Sequence, residues 1–216
     1  YALPSLTRSD GLPVGAISGF CNMIYKLLNN KQNEEIKKPT HIAVIFDHKG
    51  KNFRSDIYPD YKMNRKDPPL DLIPQFDLIR QATQAFGLDS IEIEGYEADD
   101  IIATYVEIAQ KKDWETTIIS SDKDLMQLVS PKTKMWDTMK NKIICEEQVK
   151  EKFGVEPSLV VDVQALAGDS VDNIPGATGI GVKTASLLIN QFGSLNRLLE
   201  NASTIKQQKR REVLIQ

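Results

Sequence analysis

Three short runs with a strong β bias frame this sequence: HIAVIFD at 41–47, SIEIE at 90–94 and TTIISS at 116–121. Between them lie stretches of helical periodicity, DLIPQFDLIRQATQAFG at 71–87, which stops at Gly87, and a segment from Glu97 to about Lys111. Strands that alternate with helices of this length predict a parallel or mixed α/β sheet covered by helices on both faces. HIAVIFD, almost wholly apolar and ended by an acid, reads as a buried and central strand. A short helix from Lys123 and two further strands, TKMWDT at 133–138 and NKIICEE at 141–147, extend the same body.

Beyond about residue 146 the pattern changes to short helices separated by loops. The reading is therefore an α/β body over 1–145 and a helical subdomain over 146–216, without internal repeats or low-complexity tracts. At 216 residues and 41% hydrophobic the chain can bury a real core. Its 27 basic and 30 acidic residues nearly cancel, so bulk charge names no partner and the distribution has to be read instead. Two distant cysteines, Cys21 and Cys145, and two histidines, His41 and His48, argue against a zinc site or a disulfide framework and for a reducing, cytoplasmic setting. No apolar run approaches the roughly 20 residues of a membrane span, and no signal peptide is read. The first residue is Tyr1 rather than Met, as in a fragment.

The acids are placed unevenly. Asp47 ends the first strand; Glu97, Asp99 and Asp100 open the helix after the second; Asp122 and Asp124 follow the third; Asp169 and Asp172 lie in the glycine-flanked loop GDSVDNIPG. In an open parallel sheet ligands bind beyond the carboxyl ends of the strands, and the first three of these groups belong to that edge. Carboxylates converging in such number would repel one another unless hard cations neutralised them, and magnesium or manganese takes oxygen donors of this kind while keeping several waters. Each group also has a plainer reading. Acids in a first helical turn complement the helix dipole and its free amides. Ser121 or Asp122 would cap a short helix, and Asp47 would be an ordinary turn residue. The coincidence of all four groups favours the metal reading.

Two further features bear on the partner. In GATGIGVKTA, Gly179, Ile180 and Gly181 form a hairpin ahead of a helix that starts near Val182, exposing amides beside Lys183 and Thr184 where a phosphate could approach. A tight turn between packed helices would look the same. Neither a dinucleotide fingerprint nor a P-loop is present, which disfavours a nucleotide cofactor and leaves sequence-independent gripping of a nucleic-acid backbone. In FRSDIYPDYKMNRKDPPLD, where Pro59, Pro68 and Pro69 preclude a continuous helix, Arg54, Lys62, Arg65 and Lys66 interleave with Phe53, Tyr58 and Tyr61. That mixture suits phosphates and stacked bases, or else a solvated charged loop. The tail KQQKRR at 206–211 reads as exposed helix or linker.

Taken together, FDHKGKNFR, YPDYKMNR, YEADD, SSDKDLMQL, GDSVDNIPG and GIGVKTA occur in the order and at the spacing of the 5' nuclease, flap endonuclease-like family. The sequence resembles that family over nearly its whole length, in the form bacteria carry ahead of a repair polymerase. The resemblance implies a doubly wound, mostly parallel, PIN-like α/β domain with a helical arch, followed by a helix-hairpin-helix-type subdomain that grips duplex DNA through a potassium ion. It also implies two or more Mg2+ or Mn2+ ions on Asp47, Glu97, Asp99, Asp100, Asp122, Asp124, Asp169 and Asp172. Phosphate contacts fall on Arg54, Lys62 and Arg65, with Tyr58 beside them, and on Gly179, Gly181, Lys183 and Thr184 of the hairpin. Val171 stands where relatives often carry serine.

Relatives also begin with a strand ending in L-V-D-G, about a dozen and a half residues before the match to YALP, whose aspartate is a metal ligand. With Tyr1 as a true terminus, the sheet would lack that strand and the site that acid. The expected activity is 5' to 3' exonuclease and 5' flap cleavage of DNA at flaps, nicks and junctions, in replication and repair near the nucleoid, with a polymerase domain in the same parent chain. The alternatives are a non-catalytic DNA-junction binder and a magnesium-dependent hydrolase of small phosphate esters built on D-x-D.

Overall fold

A computed structural model describes residues 6–29, 36 and 38–215. The elements run α1 (Gly15–Leu28), β1 (Ala43–Ile45), α2 (Phe53–Ile57), α3 (Ile73–Ala85), β2 (Asp89–Ile91), α4 (Ala98–Lys111), β3 (Thr116–Ile119), β4 (Thr133–Asp137), β5 (Lys142–Ile144), α5 (Glu146–Phe153), α6 (Val160–Ala167), α7 (Val182–Phe192), α8 (Leu195–Glu200) and α9 (Gln208–Ile215). Single 3-10 turns occupy Asp124–Leu128, Pro157–Leu159 and Ala202–Thr204. The chain divides into two compact units, a smaller one within 1–50 and 66–98 and a larger one within 51–65 and 99–216.

In the smaller unit β1 and β2 pair in parallel, Ala43 opposite Asp89 and Ile45 opposite Ile91, as the strand–helix–strand rhythm requires. Helix α3 starts with a proline in its first turn, where the missing N–H costs nothing, and ends at Gly87 in the left-handed region at φ 72°. Its Gln75 is buried, and Oε1 accepts the Ala16 and Ile17 amides at 2.8 and 3.1 Å. Val14 offers no capping side chain to α1, so α3 caps that helix across 59 residues of sequence. The expected central, buried strand at 41–47 is corrected here: among the described residues β1 pairs with β2 alone, Ala43 is exposed, and Val44 and Ile45 are half-buried. With one paired edge and three residues, the strand has too little cover to bury its side chains.

In the larger unit β3 and β4 are parallel and β5 returns antiparallel through a tight turn. The strands of the described residues thus form a two-stranded and a three-stranded sheet rather than one. The α/β class expected from the sequence stands, and beyond β5 the described residues are helices, turns and a single bridge between Asp169 and Ile174. Met135, Val149, Val160, Val163, Ile189 and Leu198, none of them measurably exposed, anchor one continuous apolar core from the sheet through α5, α6, α7 and α8. Burying each such side chain stabilises by roughly 1.5–3 kcal/mol. Two glycines close the 168–176 loop: a Cβ on Gly168 would lie 2.3 Å from the Gly176 nitrogen, and one on Gly176 2.3 Å from the Ala167 carbonyl carbon. The backbones cross there with no room for a side chain, which holds Asp169 and Asp172 on a fixed turn.

Candidate active site

The sequence-predicted acids divide between the units. In the smaller one, Asp47 lies just past β1; its Oδ1 accepts the amide of Ala98, where α4 begins, at 2.8 Å, and its carbonyl accepts Arg80 Nη2 at 3.3 Å. Half-buried Glu97 directly precedes Ala98. The remaining six, Asp99, Asp100, Asp122, Asp124, Asp169 and Asp172, belong to the larger unit.

Within that larger unit the basic residues expected to contact phosphate meet the acids. Helix α2 is capped by Asn52, whose Oδ1 accepts the Arg54 amide at 3.0 Å, and presents the Arg54 guanidinium to Asp100 in a two-pronged pair at 2.7 Å on each oxygen. Asp100, in the first turn of α4, thereby gains the strong fork geometry available to arginine. Arg65 Nη2 donates to Asp172 Oδ1 at 2.5 Å, Lys62 Nζ stands 3.8 Å from Oδ2, and the Tyr61 hydroxyl donates to the same oxygen at 3.4 Å. Backbone and amide links reinforce this. The Lys62 amide, at a left-handed φ of 57°, donates to the Asp172 carbonyl; Asn64 Nδ2 donates to Ser170 O and Asn173 Nδ2 to Asp60 O. Segment 60–65 is thus stitched to the 169–173 loop. Tyr58 is half-buried at the C-terminal end of α2, its amide donating to Arg54 O.

The SSDKDL group follows β3. Ser120 Oγ accepts the Asp122 amide at 3.0 Å, and Asp122 Oδ1 accepts the Asp124 amide at 2.9 Å, a cap-like bond that uses one of its oxygens. Lys123 Nζ donates to Asp169 Oδ2 at 2.5 Å and lies 3.9 Å from Asp124 Oδ1, which also accepts Gln164 Nε2 from α6. Burial pushes the Asp124 carboxyl above its ordinary value, opposed by Gln164 and helped by the charge of Asp122. Burial acts the same way on Asp169 but is outweighed by the Lys123 ammonium and the Val171 amide, so that carboxyl sits below its ordinary value. Asp122 thus makes the local cap-like bond, while the Asp124 carboxylate turns to Lys123 and Gln164.

Among the described residues, no group of three or more His, Cys, Asp and Glu side chains stands ready around a metal. The donor chemistry nevertheless fits a hard cation: every candidate is a carboxylate, Asp169 and Asp172 are buried, and cations already neutralise Asp100, Asp169 and Asp172. Sequence reasoning missed Lys123 and Gln164 as partners of the acids. Lys123 was readable, since it lies between Asp122 and Asp124, whereas nothing in the spacing marks Gln164.

At the hairpin, Ile180 is buried in the core while both glycines face open space, Gly179 at φ 76°. Gly181 caps α7, its carbonyl accepting the Thr184 and Ala185 amides at 2.9 Å, and Lys183 is exposed. The amides ahead of these two, at Val182 and Lys183, belong to the first turn, whose N–H groups have no acceptor within a helix, which is the geometry an anion or phosphate uses.

Residues 1–154 match the family model of the 5'-3' exonuclease N-terminal resolvase-like domain, and residues 155–216 that of the 5'-3' exonuclease C-terminal SAM fold. The chain is 58% identical over 217 residues to DNA polymerase I of Rhizobium leguminosarum, covering 100% of this chain and 21% of that protein. It therefore spans about a fifth of that relative's length. It is 39% identical to a 5'-3' exonuclease of Aquifex aeolicus, covering 93% of this chain and 68% of that one. In fold it is similar to the T5 5'-exonuclease with bound zinc (TM-score 0.76, 24% identity, 91% of this chain and 74% of that one). It is also similar to the catalytic core of Rad2 in complex with a DNA substrate (TM-score 0.57, 20% identity, 99% of this chain and 67% of that one). With the two family models meeting end to end along the sequence, the chain belongs to the 5'-3' exonuclease family.

Proposed function

We propose that the chain hydrolyses DNA phosphodiester bonds as a divalent-metal-dependent 5' to 3' exonuclease and 5' flap endonuclease, serving replication and repair as the amino-terminal part of a DNA polymerase I. The observation that carries the reading is the meeting, in the larger unit, of the 169–172 acids with Arg65, Lys62 and Lys123. Acids that need counter-cations beside bases that suit phosphate are what a metal-assisted phosphodiesterase requires. Asp99, Asp100, Asp122, Asp124, Asp169 and Asp172 of the larger unit would hold metal, and Asp47 and Glu97 are metal-ligand candidates on the family resemblance. Bound Mg2+ or Mn2+ supplies a water acidified enough to attack and offsets charge on the scissile phosphate.

The chain's own side chains do the rest. Arg54, Lys62 and Arg65 orient the phosphates of the single-stranded flap, exchanging carboxylate partners for phosphate ones, and Tyr58 lies on the same segment to stack a base. Gly179, Gly181, Lys183 and Thr184 hold the duplex backbone without reading its sequence, with a potassium ion at the turn, in a helical DNA-binding subdomain spanning 146–216. Among the described residues no helix is long and apolar enough to cross a membrane; the proposed DNA substrate is what places the chain's work in the bacterial cytoplasm, beside the nucleoid.

The test is cleavage of a 5'-labelled flap duplex with Mg2+, with and without a chelator, alongside a small phosphate monoester. Chelator-sensitive release of the flap with no turnover of the monoester is the expected result. Binding without cleavage would instead identify a DNA-junction binder, and monoester turnover a small-molecule phosphohydrolase. DNA affinity should fall steeply with salt, because backbone contacts release counterions.

A further inference from the structure

We propose that Lys123 is the protein's own stand-in for a divalent cation: its ammonium holds Asp124 and Asp169 together in the metal-free protein and gives way when metal binds. The inference rests on the metal-binding reading of those two acids. Lys123 Nζ reaches Asp169 Oδ2 at 2.5 Å, 46 positions away in sequence, and stands 3.9 Å from Asp124 Oδ1. One positive charge therefore bridges carboxylates from two elements, the 3-10 turn after β3 and the loop after α6, as a metal ion would. The backbone of Lys123 is fixed at the start of that turn, where its carbonyl accepts the Met126 amide at 3.1 Å, but its side chain is 37% exposed and has a route to water.

The two arginine pairs are of another kind. Arg54 grips Asp100 with two parallel bonds, whereas lysine is a compact charge on a flexible stem that can leave one oxygen without breaking a fork. A divalent ion on the oxygens Lys123 now contacts cannot share them with an ammonium, so the two must compete. In exchange, Lys123 keeps the acids from repelling one another before metal arrives.

The test is calorimetric titration of Mn2+ into the wild type, Lys123→Gln and Lys123→Arg at one ionic strength. Lys123→Gln should bind Mn2+ about tenfold more tightly than wild type, because a like charge a few ångströms from the ion is gone. Lys123→Arg, which keeps the charge, should show no gain. Equal or weaker binding by Lys123→Gln would overturn the inference while leaving the metal site intact; absence of Mn2+ binding by the wild type would overturn the metal reading and the inference with it. A second measurement needs no variant. Acetylation of the wild type with limiting reagent, read by peptide mass spectrometry, should label Lys123 severalfold faster when Mn2+ is present, and an unchanged or slower rate would overturn the inference.

Discussion

The buried residues of the smaller unit, among those described, are Ile24, Ile36, Gln75 and Thr83, half of them polar. The larger unit buries an unbroken apolar cluster from Val106 and Ile118 to Leu198 and Ile205. The first is held by directed bonds: Gln75 to the start of α1, Thr83 Oγ1 to Ile79 O at 2.9 Å, Arg80 to Glu92 at 2.6 Å. The second is held by area removed from water. Burial is tolerant and additive, while a buried polar group is costly when its partner is lost. The acids are divided along the same line, with Asp47 and Glu97 on the unit whose order depends on hydrogen bonds and the other six on the unit with the core.

The comparison breaks most visibly in the core. Leu198→Ala should cost about 2–5 kcal/mol in urea denaturation, since it opens a cavity in a fully buried cluster; a loss below about 1 kcal/mol would show that the larger unit is not core-stabilised. Gly168→Ala should cost about 3 kcal/mol, because the new methyl meets the Gly176 backbone and the native φ of 73° disfavours a side chain. It should also weaken Mn2+ binding through the displaced Asp169. Gln75→Leu should cost about 1–3 kcal/mol by leaving the Ala16 and Ile17 amides unpaired, with hydrogen exchange at the start of α1 accelerating while amides of β4 stay protected.

The smallest effect concerns charge. Asp124 has a folded-state pKa above its unfolded one, so its ionisation costs stability above that folded value, and the cost vanishes once pH falls below the ordinary value of 3.8. Asp124→Asn should therefore stabilise the metal-free protein at pH 7, by under about 1 kcal/mol once solvent screening of a partly exposed side chain is allowed for, and should give no gain at pH 3 in thermal melts. Asp169 has the opposite sign: its contribution is present above 3.8 and is lost as pH falls through its depressed value.

Much of this was legible in the sequence for a physical reason: periodicity and punctuation are local. Four strands fall within HIAVIFD, TTIISS, TKMWDT and NKIICEE, while β2 starts at Asp89, one residue ahead of SIEIE, and ends at Ile91; α3 ends at Ala85, two residues before Gly87, and α7 starts at Val182. The glycine-flanked acids sit on a turn that only glycine can close. What escaped depends on contacts across the chain. Nothing local announces that Gln75 caps α1, that Gln164 holds Asp124, or that β1 finds a single partner. The basic, aromatic surroundings of Arg54 and Arg65 point to phosphate contacts, and their pairing with Asp100 and Asp172 is visible only where residues 46 and 107 positions apart meet in space.

The central claim is that acids from separate stretches act together on a phosphodiester. Its most direct test is the rate of 5' flap cleavage by Asp122→Asn in Mg2+, measured beside its affinity for the same DNA. The account predicts cleavage abolished with binding nearly unchanged; turnover at the wild-type rate would contradict it.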